Sequence, residues 1–335
     1  MSEIVVLGAG WGTALAMHMA RVGHTVHLWT PFEKEIEEMR ATRENPRLLP
    51  GVKIEEDIDF TTDLSVARRC DIVMVAVPSM VIGQTAERLR EVLDGCSPVI
   101  ACFSKGLEDG TKRRLSEVLH EGVPWCKIAV VSGLSHAEEV ARGVPTSLVS
   151  ASCDLDTAEY MQDSMMSDRL RIYTNQDMVG VELGGALKNI IALAAGITDG
   201  LELGDNTKAA LITRGLSEIA TLGVKMGAKR ETFAGLTGIG DLIVTCTSMH
   251  SRNRRCGILI GKGLPADEAM AQIGMTVEGY HATKTAHELS LLQDVEMPIV
   301  TQCYNVLYGG LAAGEALKQL MARPKKHEHE HTYLG

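Results

Sequence analysis

Four consecutive apolar residues, Ile4-Val5-Val6-Leu7, run into Gly8-Ala9-Gly10-Trp11-Gly12 and then into a helical pattern over residues 14–22. A short, wholly apolar run reads as a strand buried on both faces, the situation of a parallel sheet covered by helices. Glycines where such a strand meets a helix let the backbone turn tightly and approach a pyrophosphate, while the helix start stabilises negative charge. The usual spacing is G-x-G-x-x-G; here the third glycine comes one residue early. Strand, turn or helix must absorb the missing residue. A slip in the strand turns Ile4 or Val5 to the wrong face. A slip in the helix rotates Leu15, Met19 and Val22 by about 100°. Either exposes large apolar side chains at roughly 1.5–3 kcal/mol each. The glycine turn is the softest place, so the strand should end before Gly8 and the helix begin at Trp11 or Gly12.

The same alternation continues. Strands are expected over residues 25–29, 72–77, 99–103, 128–131 and 147–149, with helices between, for example over 81–93 and 112–120. This predicts an α/β domain with a mostly parallel sheet. Helical patterns then take over, at 178–197, 207–226, 266–273, 283–293 and 299–308. A chain of 335 residues suits two domains. The division is placed near residue 184: a dinucleotide-binding domain over 1–184, a helical domain over 185–325 and a tail over 326–335.

Charge and composition narrow the function classes. The formal net charge is −10, the wrong balance for a general nucleic-acid binder. No run of about 18 wholly apolar residues suggests membrane insertion, and no basic stretch before Ile4 suggests a secretory signal. The eight cysteines include no C-x-x-C pair and read as reduced thiols of a cytoplasmic protein. The His-Glu tail with His327, His329 and His331 reads as a solvated terminus, and no metal site is expected.

Five further segments carry chemistry. Ser104-Lys105-Gly106 follows an expected strand, where ligands of open parallel sheets collect. In Ser132-Gly133-Leu134-Ser135-His136-Ala137-Glu138, Ser135 and Glu138 have the spacing of a capping box; His136 alone is no evidence of catalysis. In Gly184-Gly185-Ala186-Leu187-Lys188, the lysine lies on an apolar helix with small or apolar neighbours. Desolvation lowers the pKa of such a lysine, so it can exchange protons with a substrate oxygen. Gly235-Leu236-Thr237-Gly238-Ile239-Gly240-Asp241 supplies a carboxylate to orient it, or is a plain turn. Ser251-Arg252-Asn253-Arg254-Arg255 puts arginines at a helix start, a good phosphate site. At the end of the second strand, Glu33 is the first acid and Lys34 is a candidate for a 2′-phosphate, so strict NAD preference has no support.

Together with VELGGALKNIIALAAG, LITRGLSEIA, GIGDLIVTCTS, HSRNRRCG and VEGYHATK, these segments resemble, in order and spacing, the bacterial-type NAD(P)-dependent glycerol-3-phosphate dehydrogenases. The resemblance implies a Rossmann-type domain followed by a helical one. It also implies hydride transfer between NAD(P)H and dihydroxyacetone phosphate, giving sn-glycerol 3-phosphate for phospholipid precursors. Lys188 would be the general acid-base, with Lys105 and Asp241 beside it. Lys105, Gly133, Ser135, Asp241, Ser251, Arg252 and Asn253 would contact the phosphorylated substrate. Gly8, Gly10, Trp11, Gly12, Lys105, Ala137, Arg252 and Glu278 would contact NAD or NADP, with NADPH slightly favoured and a homodimer as an option. Two departures stand out: GAGWGTA where the family reads GAGSWGTA, and Leu134 where it has proline. The rival readings are a non-catalytic dinucleotide-binding regulator, favoured by the short turn, and a related hydroxyacid dehydrogenase.

Overall fold

The computed structural model describes residues 1–325 and 327. The reading of the tail, His329 and His331 included, therefore falls outside the described residues except at Lys325 and His327. The strands are β1 Glu3–Leu7, β2 Thr25–Trp29, β3 Glu44–Asn45, β4 Leu49–Lys53, β5 Asp59–Thr61, β6 Ile72–Val75, β7 Val99–Cys102, β8 Ile128–Gly133, β9 Thr146–Ala151 and β10 Leu170–Asn175. Eight form one sheet in the order β10-β9-β8-β7-β6-β1-β2-β5, and β3 and β4 make a separate ribbon. Every pair in the large sheet is parallel except β8 with β9. Six of the eight strands match the sequence reading. The two it lacks, β5 and β10, are the sheet's edges, where one neighbour is missing and the apolar run is short or interrupted, as by Arg171 and Tyr173 in β10.

Period-two alternation divides the sheet's side chains between two cores. Ile4, Val6, Leu28, Met74 and Ala101 pack with Leu15 and Met19 on one face. Val5, Leu7, Val73, Val75 and Ile100 pack with Leu89 and Leu119 on the other. Strand and helix faces are thus intact, and the short turn has absorbed the missing residue. The helix Trp11–Val22 starts directly after Gly10. Gly8 has φ +103°, and a Cβ there would sit 2.8 Å from the Ala76 carbonyl oxygen. This turn stands between β1 and β6, where the strand order reverses, the usual ligand crevice of an open parallel sheet.

The helical half is built on Met178–Gly200, buried over nearly its whole length. Residue 184 lies inside it: Met178 and Val181 pack with the sheet, Leu183 and Leu187 with the helices. The absence of a long apolar run needs amending. This helix is long and apolar enough to cross a membrane by length and composition, but 94% of the relevant window is buried inside the protein. Glu182 and Lys188 interrupt its apolar sequence, and the side chain of each has an ion-pair partner.

The helix Arg252–Gly261 lies against it with no side chains between the backbones. A Cβ on Gly257 would fall 2.0 Å from the Leu193 carbonyl oxygen, and one on Gly261 would fall 2.4 Å from that of Ile197. That approach sets where Arg252 stands. Gly257→Ala should force the helices apart and cost about 1–3 kcal/mol, the usual range for overpacking. Urea unfolding measures it, and an unchanged midpoint would show that the two helices yield without strain.

Candidate active site

The carboxyl ends of the strands carry the glycine turn after β1, Lys105 after β7 and Ser135 after β8. The helical half brings Lys188 and Asp241 to the same place. Lys105 Nζ donates to the Gly133 carbonyl (2.9 Å), Ser135 Oγ (2.8 Å) and Asp241 Oδ2 (2.8 Å). Lys188 Nζ donates to Asp241 Oδ1 and to Thr245 Oγ1 (2.7 Å). Asp241 thus bridges two lysines, one from each half of the molecule. Its side chain is 1% exposed, that of Lys188 8% and that of Lys105 16%. Gly185 allows the fit, since a Cβ there would lie 2.6 Å from Ser132 Oγ and 3.6 Å from Lys105 Cδ.

Burial pushes the Lys188 pKa down to about 7, with Asp241 resisting and Lys105 reinforcing the shift. Burial also opposes ionisation of Asp241, but Lys105 and Lys188 together hold its carboxyl below its ordinary range. The cluster therefore keeps an ionised aspartate beside a lysine poised to gain or lose a proton near neutral pH. Thr245, one helical turn beyond Asp241, was not singled out in the sequence. The only signal for it is its i+4 spacing.

The structure corrects the reading of Ser135 as a helix cap. His136 is the N-cap of Ala137–Ala141 and makes no side-chain cap bond, while the Ser135 hydroxyl is turned to Lys105 and Gly133. Ser251 does cap a helix, accepting from the Arg254 N–H at 3.2 Å. Asn253 donates to Asn189 Oδ1 (3.0 Å) and accepts from the Gly279 N–H (2.8 Å). Arg254 is tied to Asp199. Arg252 makes no hydrogen bond or ion pair among the described residues. It is largely buried, a condition that lowers its pKa, with the charges of Glu278 and Glu138 acting against the shift. Glu278 in turn accepts from Ser79 Oγ at 3.2 Å, joining the helical half to the loop after β6. Burial raises its pKa despite Ser79 and Arg252.

The crevice beside β1 fits a dinucleotide. The left-handed Gly8 lets the backbone close on Ala76, and the first turn of the Trp11–Val22 helix leaves N–H groups without intrahelical partners. Trp11 and Ala137 are half-buried against the same core. At the end of β2, Thr30 Oγ1 donates to Glu35 Oε2 (3.0 Å), and Arg47 reaches Glu35 Oε1 at 3.2 Å. Neither Glu35 nor Arg47 was singled out in the sequence, because Arg47 arrives from a loop after the next helix. Lys34 is exposed. A cavity of 1140 Å³ lies elsewhere, between the helices Gly204–Lys225 and Ala313–Met321. Its buried acid, Glu218, accepts the N–H groups of Ile299 and Val300 at the start of Pro298–Leu307.

A dinucleotide crevice facing a buried lysine–aspartate pair is the arrangement of a nicotinamide-dependent dehydrogenase. The family described as NAD-dependent glycerol-3-phosphate dehydrogenase matches here through its N-terminal part over residues 3–158 and its C-terminal part over residues 177–318. The glycerol-3-phosphate dehydrogenase (NAD(P)+) of Moorella thermoacetica is 52% identical over 98% of this chain and 98% of its own. That of a Thermoanaerobacter species is 51% identical over 97% and 98%. The crystal structure of the Coxiella burnetii enzyme superposes with a TM-score of 0.92 at 40% identity, covering 96% of this chain and 99% of that one. The chain belongs to the NAD-dependent glycerol-3-phosphate dehydrogenase family.

Burying Lys188 leaves a mark on stability. Its folded pKa of about 7 lies below its ordinary 10.5, so between these values the unfolded chain binds more protons. Stability from this group therefore rises with pH across that window. Lys188→Met should remove the rise while leaving Asp241 paired with Lys105. Urea unfolding of both proteins at pH 7 and pH 9 would reveal it; parallel changes would place the titration elsewhere.

Proposed function

We propose that the chain reversibly reduces dihydroxyacetone phosphate to sn-glycerol 3-phosphate with NAD(P)H, using Lys188 as general acid-base. The observation that carries this reading is Lys188 itself: buried, tied to Asp241, and titrating near neutrality beside a dinucleotide crevice. The bound nicotinamide supplies or accepts the hydride. Gly8, Gly10, Trp11 and Gly12 would hold its pyrophosphate side, with Lys105, Ala137, Arg252 and Glu278 along the rest of the cleft. The Glu35 carboxylate, on the helix Glu33–Thr42 that follows β2, is already engaged by Thr30 and Arg47, which supports NADPH slightly over NADH.

In the reducing direction the carbonyl oxygen gains charge as the hydride arrives at carbon. Protonated Lys188 hydrogen-bonds that oxygen and delivers its proton; Asp241 keeps the ammonium in place, and Lys105 adds positive field. Gly133 and Ser135 fix Lys105 and line the substrate side. Ser251 and Asn253 hold the helix start in position, leaving Arg252 as the guanidinium available to the substrate phosphate. Anchoring the phosphate orients the carbonyl against Lys188. The eight cysteines are all unpaired, six of them buried, which supports a reducing, cytoplasmic setting.

The Lys188 role fixes the sign of the pH dependence. Reduction needs the protonated lysine, so its rate should fall as pH rises through about 7. Oxidation needs the neutral lysine and should gain over the same range. Lys188→Ala should lose about 10²–10⁴-fold in kcat, lose this crossover and keep its cofactor Kd. NADPH and NADH oxidation with dihydroxyacetone phosphate, and NAD(P)+ reduction with sn-glycerol 3-phosphate, followed by absorbance across pH 6–9, test it; near-full turnover in the variant would remove Lys188 from the chemistry.

Arg252→Ala should raise KM for dihydroxyacetone phosphate by roughly 10- to 150-fold, the equivalent of one hydrogen bond to a charged group. Steady-state kinetics at saturating NADPH measures this, and an unchanged KM would move the phosphate site elsewhere.

A further inference from the structure

His136 presents an atom that the site as described leaves unused. Its Nε2 is buried and has no hydrogen-bond partner among the described residues. A buried polar atom without a partner loses the hydrogen bond it would make in water, so a ligand that supplies one is favoured. The ring sits at the catalytic end of the cleft. Its neighbour Ser135 bonds to Lys105, and the ring packs against that of His250, centroid to centroid 5.8 Å, next in sequence to Ser251 and Arg252. The charges acting on it are Lys188 and Asp241 from the helical half, and Glu138 and Glu139 from its own helix. Ser132 Oγ is also buried without a partner, but it faces the backbone of the Lys188 helix at Gly185.

We propose that His136 is a specificity-determining residue, whose Nε2 hydrogen-bonds the primary hydroxyl of the three-carbon substrate. The inference rests on the reading of dihydroxyacetone phosphate as substrate, and it follows by matching chemistry to position. That molecule offers three polar groups. The carbonyl oxygen belongs to Lys188 and the phosphate dianion to Arg252, a permanent cation. The uncharged hydroxyl remains, and it both donates and accepts. A neutral imidazole is its natural complement, since it too can donate or accept according to tautomer. Burial, with the nearby charge of Lys188, lowers the His136 pKa and keeps the ring neutral. A site built around such a hydrogen bond discriminates against an analogue that lacks the hydroxyl, because the ring nitrogen is then left unpaired.

The test compares two substrates in three proteins. Acetol phosphate has a methyl group where dihydroxyacetone phosphate has its hydroxymethyl group. His136→Phe keeps a ring against His250 but removes the nitrogen; His136→Gln restores a polar amide near the same position. For His136→Phe, kcat/KM with dihydroxyacetone phosphate should fall about tenfold, while that with acetol phosphate changes less than about twofold. His136→Gln should recover most of the loss. NADPH binding, followed by fluorescence titration, should be the same in all three and reports an intact cleft. Equal losses with both substrates, or no loss with either, would overturn the assignment. If the unaltered protein reduces neither compound, the substrate reading beneath the assignment has failed, and the assignment falls with it.

Discussion

Asp241 is the residue on which the arrangement turns. One carboxylate, almost wholly buried, receives Lys105 from the sheet half and Lys188 from the helical half. Removing one partner of a buried ion pair strands the other at a cost of about 3–5 kcal/mol, so the three groups hold the cleft together as well as line it. The charge arithmetic is equally consequential. With both lysines protonated the cluster carries one net positive charge; when Lys188 gives up its proton the cluster is neutral. With Lys188 as the proposed general acid-base, a developing oxyanion would be stabilised before proton transfer and the product alkoxide neutralised as the lysine discharges.

The cluster depends on two backbones that come unusually close. Lys188 can be buried because Asp241 pairs with it, and glycines replace bulk where neighbours crowd its helix, at Gly185 beneath Lys105 and at Gly196 and Gly200 against the Arg252–Gly261 helix. The same glycines bring the N-terminus of that second helix alongside the Lys188 helix, and with it the guanidinium of Arg252. Lys188 and Arg252, the proposed proton donor and phosphate anchor, are therefore mounted on one closely packed helix pair, while the sheet half supplies the crevice opposite. Fixing reacting groups on packed helices rather than loops keeps their separation constant, and orientation of this kind is a large part of what an active site contributes.

Much of this was legible in the sequence because local physics decides it. Short, wholly apolar runs marked the inner strands, the glycine turn marked the crevice, and a lysine surrounded by alanine, glycine and isoleucine signalled a perturbed pKa. The turn itself behaved as steric reasoning requires: the missing residue was taken up where glycines made it inexpensive, and the two faces of β1 kept their partners. What could not be read is what depends on distant contacts. Ser135 and Glu138 have capping-box spacing, yet the hydroxyl goes to Lys105, whose ammonium is the stronger partner. Arg47 reaches Glu35 only because the chain folds back past β2. Spacing records which neighbours a residue has along the chain; it holds no record of a competitor arriving from another strand.

The same distinction explains why the SRN segment looked more uniform than it is. Three adjacent polar residues at a helix start invite the reading that all three face the ligand. In the fold their bonds differ: Ser251 closes the helix end, Asn253 ties the helix to Asn189 and to the backbone at Gly279, and of the three only Arg252 makes no side-chain hydrogen bond among the described residues. Satisfying every donor would have given a more stable helix start with nothing to offer a phosphate. Leaving the Arg252 guanidinium unpaired, where burial disfavours its charge, keeps its donors available for the proposed phosphate. His136, whose buried ring nitrogen also lacks a partner among the described residues, follows the same logic in the proposed role. On the proposed roles, binding energy at this site would come from groups that folding has left unsatisfied, and such groups are few because each one weakens the fold that carries it.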